Sequence, residues 1–144
     1  MTITVIVSGA CGKMASEVVK AVSKEADMEI VAVVDLSNNL ETHVKDLLKD
    51  KAPSVLCEKD LEKALTQAKP DVAVDFTNPA SVYKNTKTLL SYGVRPVIGT
   101  TGLSEELIAE FKKLSQKKEI GTLIVPNFAI GSVLMIEFAQ EAAK

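Results

Sequence analysis

Tryptophan is absent from this chain, histidine occurs once and cysteine only twice. With Cys11 and Cys57 outside any C-x-x-C pair, one histidine cannot complete a zinc site. Nor can a Ser/His/Asp set be built around His43, which falls in a polar, lysine-rich stretch. Paired carboxylates and metal-ligand spacings are also lacking, so the residues alone carry no catalytic constellation. No apolar run reaches the roughly 18 residues of a membrane-spanning helix, and too little chain precedes the first β-branched run for a signal peptide. The expectation is a soluble, cytoplasmic protein with no membrane partner. Charge is nearly balanced, with Lys+Arg 17 against Asp+Glu 19 and a formal net charge of −2. No face reads as a basic stripe, which argues against nucleic acid as a partner. What the 144 residues do have is apolar content, 47% of them hydrophobic, enough for one domain (1–144) with a real core.

The richest stretch is Val5-Ile6-Val7-Ser8-Gly9-Ala10-Cys11-Gly12-Lys13-Met14-Ala15. A β-branched run ends in Gly9, and helical spacing begins with Met14, Val18, Val19 and Val22. Strand, tight turn and helix N-terminus in that order form the arrangement that cradles a pyrophosphate. Gly9 can take unusual backbone angles, Gly12 puts no Cβ between chain and ligand, and Ala15 lets the helix lie close to the strand. Lys13 could neutralise a phosphate or be merely solvated. Cys11 reads as a small residue filling the turn, with a reactive thiol as the alternative. The spacing G-x-x-G-x-x-A is a loose form of the dinucleotide fingerprint, and ordinary strand–helix packing would also accept it. Support comes from the next strand, Glu29 to Asp35, which ends in an acid able to accept both ribose hydroxyls of an adenosine.

Leu36 to Leu40 reads as a turn, and the segment from there to Lys51 as a solvated excursion holding His43. Pro53 to Cys57 suggests a short edge strand, and Leu61, Ala64 and Leu65 a helix ended by Pro70. Asp71 to Phe76 is a buried-type strand. Asn78 as N-cap and Pro79 in the first turn then start a helix with Val82, Thr86, Leu89 and Leu90 inward, stopping at Gly93. Arg95 to Ile98 is a strand, Ser104 caps a helix with Glu105 and Glu106 in its first turn, and Ile120 to Val125 is another strand. A last helix runs from about Ile130 to Ala143. Strands alternating with helices predict an α/β, Rossmann-type doubly wound parallel sheet, with ligands at the carboxyl ends of its strands.

Special sequences stand at those ends. Gly99-Thr100-Thr101-Gly102 could bring amides and hydroxyls to a ring or ribose, or be only a tight turn before a capped helix. Phe76 and Phe128, each just past a strand, could border a nicotinamide or belong to the core. Asp75 could orient a loop or cap Thr77 or Asn78.

Taken together, the segments GACGKMA, the acid of VVD, DFTNPASV, VIGTTGLS and VPNFAIGSVL resemble one family. It is 4-hydroxy-tetrahydrodipicolinate reductase, formerly dihydrodipicolinate reductase, of lysine and diaminopimelate synthesis. The order and spacing match from Ile3 to about Ala142. The resemblance implies an amino-terminal Rossmann domain that binds NADH or NADPH. By position, Gly9, Ala10, Cys11, Gly12, Lys13 and Met14 would hold the pyrophosphate and Asp35 the adenosine ribose. Gly99, Thr100 and Thr101 would line the nicotinamide side with Phe76. Val125, Pro126, Asn127 and Phe128 would match the loop beside the nicotinamide ring and the hinge to a second domain.

Three departures bear on this. Ala15 stands for the usual third glycine, Ala129 for a common serine, and Leu36 where some members place an arginine for the 2′-phosphate of NADP. An acid without an adjacent cation favours NADH. The family's second domain, with a His-His pair, a lysine and a P-S-G-T segment, has no counterpart in these residues. The chain is therefore expected to bind cofactor, to lack catalysis alone, and to be mainly monomeric, the parent's homotetramer being built largely through the other domain. Two other readings are a stand-alone dinucleotide-binding or redox-sensing module and the CoA-binding domain of an acyl-CoA ligase.

Overall fold

The computed structural model describes residues 2–125, 127–128 and 130–144. Among these, six strands form one parallel sheet: β1 (Ile3–Ser8), β2 (Met28–Val34), β3 (Leu56–Glu58), β4 (Val72–Asp75), β5 (Arg95–Ile98) and β6 (Leu123–Ile124). The helices between and after them are α1 (Lys13–Val22), α2 (Leu40–Leu48), α3 (Leu61–Ala68), α4 (Pro79–Ser91), α5 (Glu105–Lys118) and α6 (Ile130–Ala142). Strand order is β3-β2-β1-β4-β5-β6, with every pairing parallel. This is the doubly wound order, whose direction reverses between β1 and β4 and leaves a crevice there at the carboxyl ends.

The β-branched run of β1 is central because its side chains are apolar on both faces. Successive strand residues point to opposite sides, so Val5 and Val7 join Val33, Ala15, Val19, Leu40, Val44 and Leu48 in one core layer. Ile6 faces the other way, among Ala32, Ala73, Ala64, Leu65 and Leu89. Thus α1 and α2 cover one face, and α3 and α4 the other. A third cluster of Val82, Ile98 and Phe111 seats α5 against α4 and β5.

Four expectations need correction. The segment read as a solvated excursion is largely α2, whose Leu40, Val44 and Leu48 are buried at intervals of four. That stripe is narrow and lies among charged residues, which masks its helical period. The edge strand begins later than Pro53, which sits in a 3-10 turn spanning Lys49–Ser54. Proline has no N–H for a ladder and a fixed φ that suits the turn. Ile120 is not in the last strand either: its N–H donates to the Ser115 carbonyl (3.1 Å) just after the left-handed Glu119 ends α5. Pairing there is confined to Leu123 and Ile124, plus the Val125 N–H donating to the Ile98 carbonyl (2.9 Å). Finally, Met14 is exposed, and Ala15, Ser16 and Val19 form the buried face of α1. No described helix is long and apolar enough to cross a membrane.

Candidate functional site

At the end of β1 the chain turns at Gly9 with φ of +77°. A Cβ there would lie 2.8 Å from the Phe76 carbonyl oxygen, so β4's exit passes against the turn and only glycine fits. The amides of the turn are mostly engaged internally. Those of Gly9 and Ala10 donate to the Val34 carbonyl, Gly12 donates to the Gly9 carbonyl (2.9 Å), and Cys11 donates to Asp35 Oδ2 (2.9 Å). The free donors come one step later. Gly12 is the N-cap of α1 and offers no side-chain cap, so the first-turn amides of the exposed Lys13 and Met14 have no capping partner, while Ala15 is fully buried. The sequence reading put the pyrophosphate on Gly9 to Met14. In the structure the amides of residues 9–12 are all bonded within the protein, and the unengaged amides stand at the start of α1.

Asp35 lies at the end of β2, half-buried, with Oδ2 on the Cys11 amide and Oδ1 accepting from the Ser37 amide (2.9 Å). It pins the glycine turn to the next loop. A carboxylate has about four lone-pair directions, so each oxygen retains capacity toward a ribose hydroxyl. Burial, and then the Asp35 charge, push the Cys11 thiol above its ordinary range. That is the opposite of an activated thiolate, in keeping with the reading of Cys11 as turn filling.

The turn is also braced from behind by a contact that sequence reasoning missed. Ser16 Oγ lies 2.8 Å from the Gly12 carbonyl and 2.8 Å from His43 Nε2. The hydroxyl's one proton goes to the carbonyl, so the oxygen accepts from His43 Nε2–H. His43 therefore ties α2 to the start of α1 rather than standing in solvent.

Asp75, at the end of β4, is 1% exposed. Its Oδ1 accepts from the Thr77 amide (2.9 Å), the Thr77 hydroxyl (2.6 Å) and the Thr100 hydroxyl (3.2 Å), and its Oδ2 from Asn85 Nδ2 (2.8 Å). Charge-assisted hydrogen bonds offset the cost of burying the carboxylate. This network joins β4, α4 and the loop after β5, with Asn78 capping α4 by accepting from the Ser81 amide (3.0 Å). Asn85 was not foreseen. Its signal was a polar, partly buried stripe, Ser81, Asn85 and Thr88, beside the buried Val82, Thr86 and Leu89.

Gly99 is required for a reason other than ligand approach. A Cβ there would stand 2.3 Å from Phe76 Cε1 and 2.8 Å from Phe128 Cε2. The two rings meet edge to face at 4.9 Å between centroids.

Two hollows lie along this rim. One, of about 450 Å³, holds Gly9, Asp35 and Leu36 and is closed by Ser81, Asn85 and Thr88 of α4. The other, of about 400 Å³, holds Lys13, Met14, Thr100, Thr101, Asn127 and Phe128. Gly12, Phe76 and Thr77 belong to both, making one trough with the uncapped start of α1 near its middle. Of the sequence-predicted residues, Ala10 and Cys11 support the turn from beneath, and Val125 is taken up in strand pairing. Pro126 and Ala129 lie outside the described residues.

The family model described as "Dihydrodipicolinate reductase, N-terminus" matches residues 3–128. The chain is 48% identical over 140 residues to 4-hydroxy-tetrahydrodipicolinate reductase of Listeria monocytogenes, covering 97% of this chain and 53% of that protein. The solved structure of dipicolinate-bound dihydrodipicolinate reductase from Paenisporosarcina sp. TG-14 superposes with a TM-score of 0.81 at 39% identity, over 99% of this chain and 54% of the other. A scyllo-inositol dehydrogenase from Lactobacillus casei with bound NAD(H) shares the fold at 13% identity, TM-score 0.71, over 86% of this chain and 36% of its own. The chain thus spans about half the length of the curated relatives it matches. With a family model over most of its length and a trough where that family's motifs converge, this chain belongs to the dihydrodipicolinate reductase family, as its amino-terminal part.

Proposed function

We propose that this chain binds a reduced nicotinamide dinucleotide along the trough, as the cofactor half of a 4-hydroxy-tetrahydrodipicolinate reductase. The observation that carries the reading is the uncapped start of α1 between two hollows that differ in chemistry. The amides of Lys13 and Met14 would hold the pyrophosphate, with Lys13 adding charge from the rim. On one side Asp35 would accept the adenosine ribose hydroxyls. On the other, Gly99, Thr100 and Thr101 would bound the nicotinamide with Phe76, Asn127 and Phe128, the aromatic pair giving the ring an apolar wall.

When bound, the dihydronicotinamide supplies a hydride from its C4. The chain's own residues bind and orient it: Asp75 fixes Thr100 and the start of α4, so the nicotinamide wall is preset before the ligand arrives. The proton donor and the cyclic dicarboxylate's pocket belong, on this reading, to the rest of the relatives' length. The 144 residues alone therefore bind without reducing substrate and stay mainly monomeric. Asp35 followed by Leu36, which is 82% exposed and uncharged, favours NADH over NADPH.

Calorimetric titration with NADH, NADPH and CoA in parallel tests this. Saturable NADH binding, tighter than NADPH, is expected. Binding of CoA alone, or of nothing by a folded chain, would overturn the assignment of the site. Tighter NADPH would keep the site and reverse the preference.

A further inference from the structure

The one histidine of the chain stands behind the amides at the middle of the trough. Ser16 Oγ lies 2.8 Å from the Gly12 carbonyl oxygen and 3.2 Å from that of Ala10, groups that can only accept. The hydroxyl proton goes to them, so His43 Nε2 (2.8 Å) carries a hydrogen and donates to Ser16 Oγ. In the neutral ring this leaves Nδ1 bare, and protonation occurs there. The Gly12 carbonyl oxygen also accepts from the Ser16 amide (2.9 Å), so both its lone pairs are used. That carbonyl shares a peptide group with the Lys13 N–H, the first uncapped donor of α1.

Hydrogen bonds in series polarise one another. Imidazole N–H, hydroxyl, carbonyl and Lys13 N–H make one such series, and its last member points to where the pyrophosphate would lie. Each donor on the carbonyl shifts charge along the amide and leaves the Lys13 N–H a stronger donor. An imidazolium donates more strongly than an imidazole, so protonation at Nδ1 tightens every link. The other charges on the two helices balance. Lys13, Glu17 and Lys20 stand on α1, where Glu17 and Lys20 pair (2.8 Å), and Glu41, Lys45 and Asp46 on α2. Asp35, at the end of β2, has both oxygens on amides. Cys11 and Cys57, packed on the same core layer, are kept above the ordinary thiol range by burial and stay neutral.

We propose that Ser16 and His43 are positioning residues for the pyrophosphate. They form a relay that strengthens the Lys13 amide and makes dinucleotide binding tighter when the imidazole is protonated. The direction follows from linkage: an anion that favours the charged ring binds better below the ring's titration than above it. The proposal rests on the dinucleotide reading of the trough.

The test uses adenosine diphosphate ribose, which carries the pyrophosphate and the adenosine ribose and withstands acid better than NADH. Calorimetric titration of the parent between about pH 5.5 and about pH 8.5 crosses the histidine range. Dissociation constants about threefold lower are expected at the acid end. With no other histidine in the chain, the ring signals in an NMR titration report His43 alone. Their midpoint should rise by about half a pH unit when the ligand saturates the chain, the reciprocal of that change. His43→Gln supplies a donor that does not titrate, so its binding should stay near the parent's alkaline value at every pH. Ser16→Ala cuts the relay: binding should weaken about threefold at neutral pH, lose its pH dependence, and no longer move the histidine midpoint. Circular dichroism checks that both variants fold. A midpoint unmoved by ligand in the parent would overturn the proposal, as would a Ser16→Ala chain that keeps the parent's pH dependence. A folded parent that binds neither adenosine diphosphate ribose nor NADH would instead overturn the trough assignment itself.

Discussion

Gly9 and Gly12 stand three residues apart in one turn, yet a side chain added at each should fail in a different way. At Gly9 an alanine would sit at φ +77°, a left-handed conformation costing about 1–2 kcal/mol. Its Cβ would also press on backbone, 2.8 Å from the Phe76 carbonyl oxygen and 3.0 Å from that carbonyl carbon. Only movement of the β4–α4 connection relieves that, at a cost of about 1–3 kcal/mol. The sum, about 3 kcal/mol, should lower Tm by about 10 °C in a domain of this size. Gly12 has φ −72° and ψ 154°, open to any residue, and a Cβ there meets only the Gly9 carbonyl oxygen at 3.1 Å. Gly12→Ala should therefore cost less than about 1 kcal/mol. Gly12→Val, however, puts methyl groups over the uncapped amides of α1 and should weaken NADH at least about 30-fold, roughly 2 kcal/mol, with the fold intact. Differential scanning fluorimetry and calorimetric titration of these variants read the two effects separately. A Gly9→Ala chain melting within about 3 °C of the parent would refute the packing argument. A Gly12→Val chain binding NADH as the parent does would refute the pyrophosphate assignment.

Asp75→Ala leaves four donors from Thr77, Thr100 and Asn85 without their acceptor and should destabilise by about 3 kcal/mol in denaturant unfolding. Asp75→Asn keeps an acceptor, and Asn85 can turn its amide oxygen inward, so less than about half that loss is expected; equal losses would sink the network argument. Asp71 is held below the usual carboxylate range by the Thr4 amide (2.9 Å) and hydroxyl (2.7 Å). Because the folded pKa is the lower one, its stabilisation is present above the unfolded value and lost as pH falls through the folded value. Stability of Asp71→Asn should thus fall less steeply than the parent's below about pH 4; parallel acid limbs would deny Asp71 that role.

Features set by near neighbours in the chain were legible beforehand. The strand–turn–helix around Gly9, the Asn78-Pro79 start of α4 and the inward Val82, Thr86, Leu89 and Leu90 each follow from local backbone chemistry or a single period. Features set across the sheet were not. Leu40, Val44 and Leu48 give α2 too narrow a stripe to stand out among its charges. The partnership of Ser16 with His43 spans 27 residues, and only the packing of α1 beside α2 creates it. Gly99 illustrates the same limit: its glycine looked like an allowance for a ligand, but two phenyl rings from other connections occupy the space. Asp75 reads from the sequence either as orienting a loop or hydroxyl or as capping Thr77 or Asn78, and it does both, holding Thr77 locally and the Thr100 hydroxyl across the sheet. Its reach to Thr100 depends on β5 lying beside β4, with Asp75 opposite Ile98.

The two strand-end carboxylates now read as counterparts on either side of the crevice. Asp35 pins the glycine turn to the loop after β2, and Asp75 pins the loop after β5 to the start of α4. Each thereby fixes backbone on its own half of the trough, so neither half must be ordered by the ligand, and association is spared that entropy. Between them the start of α1 is held by Ser16, whose Oγ meets the Ala10 and Gly12 carbonyls and is itself held by His43. That arrangement engages carbonyls from behind and leaves amides free in front. On the proposed reading an anion would meet these donors at the middle of the trough, and the two carboxylates would bound what lies at its ends.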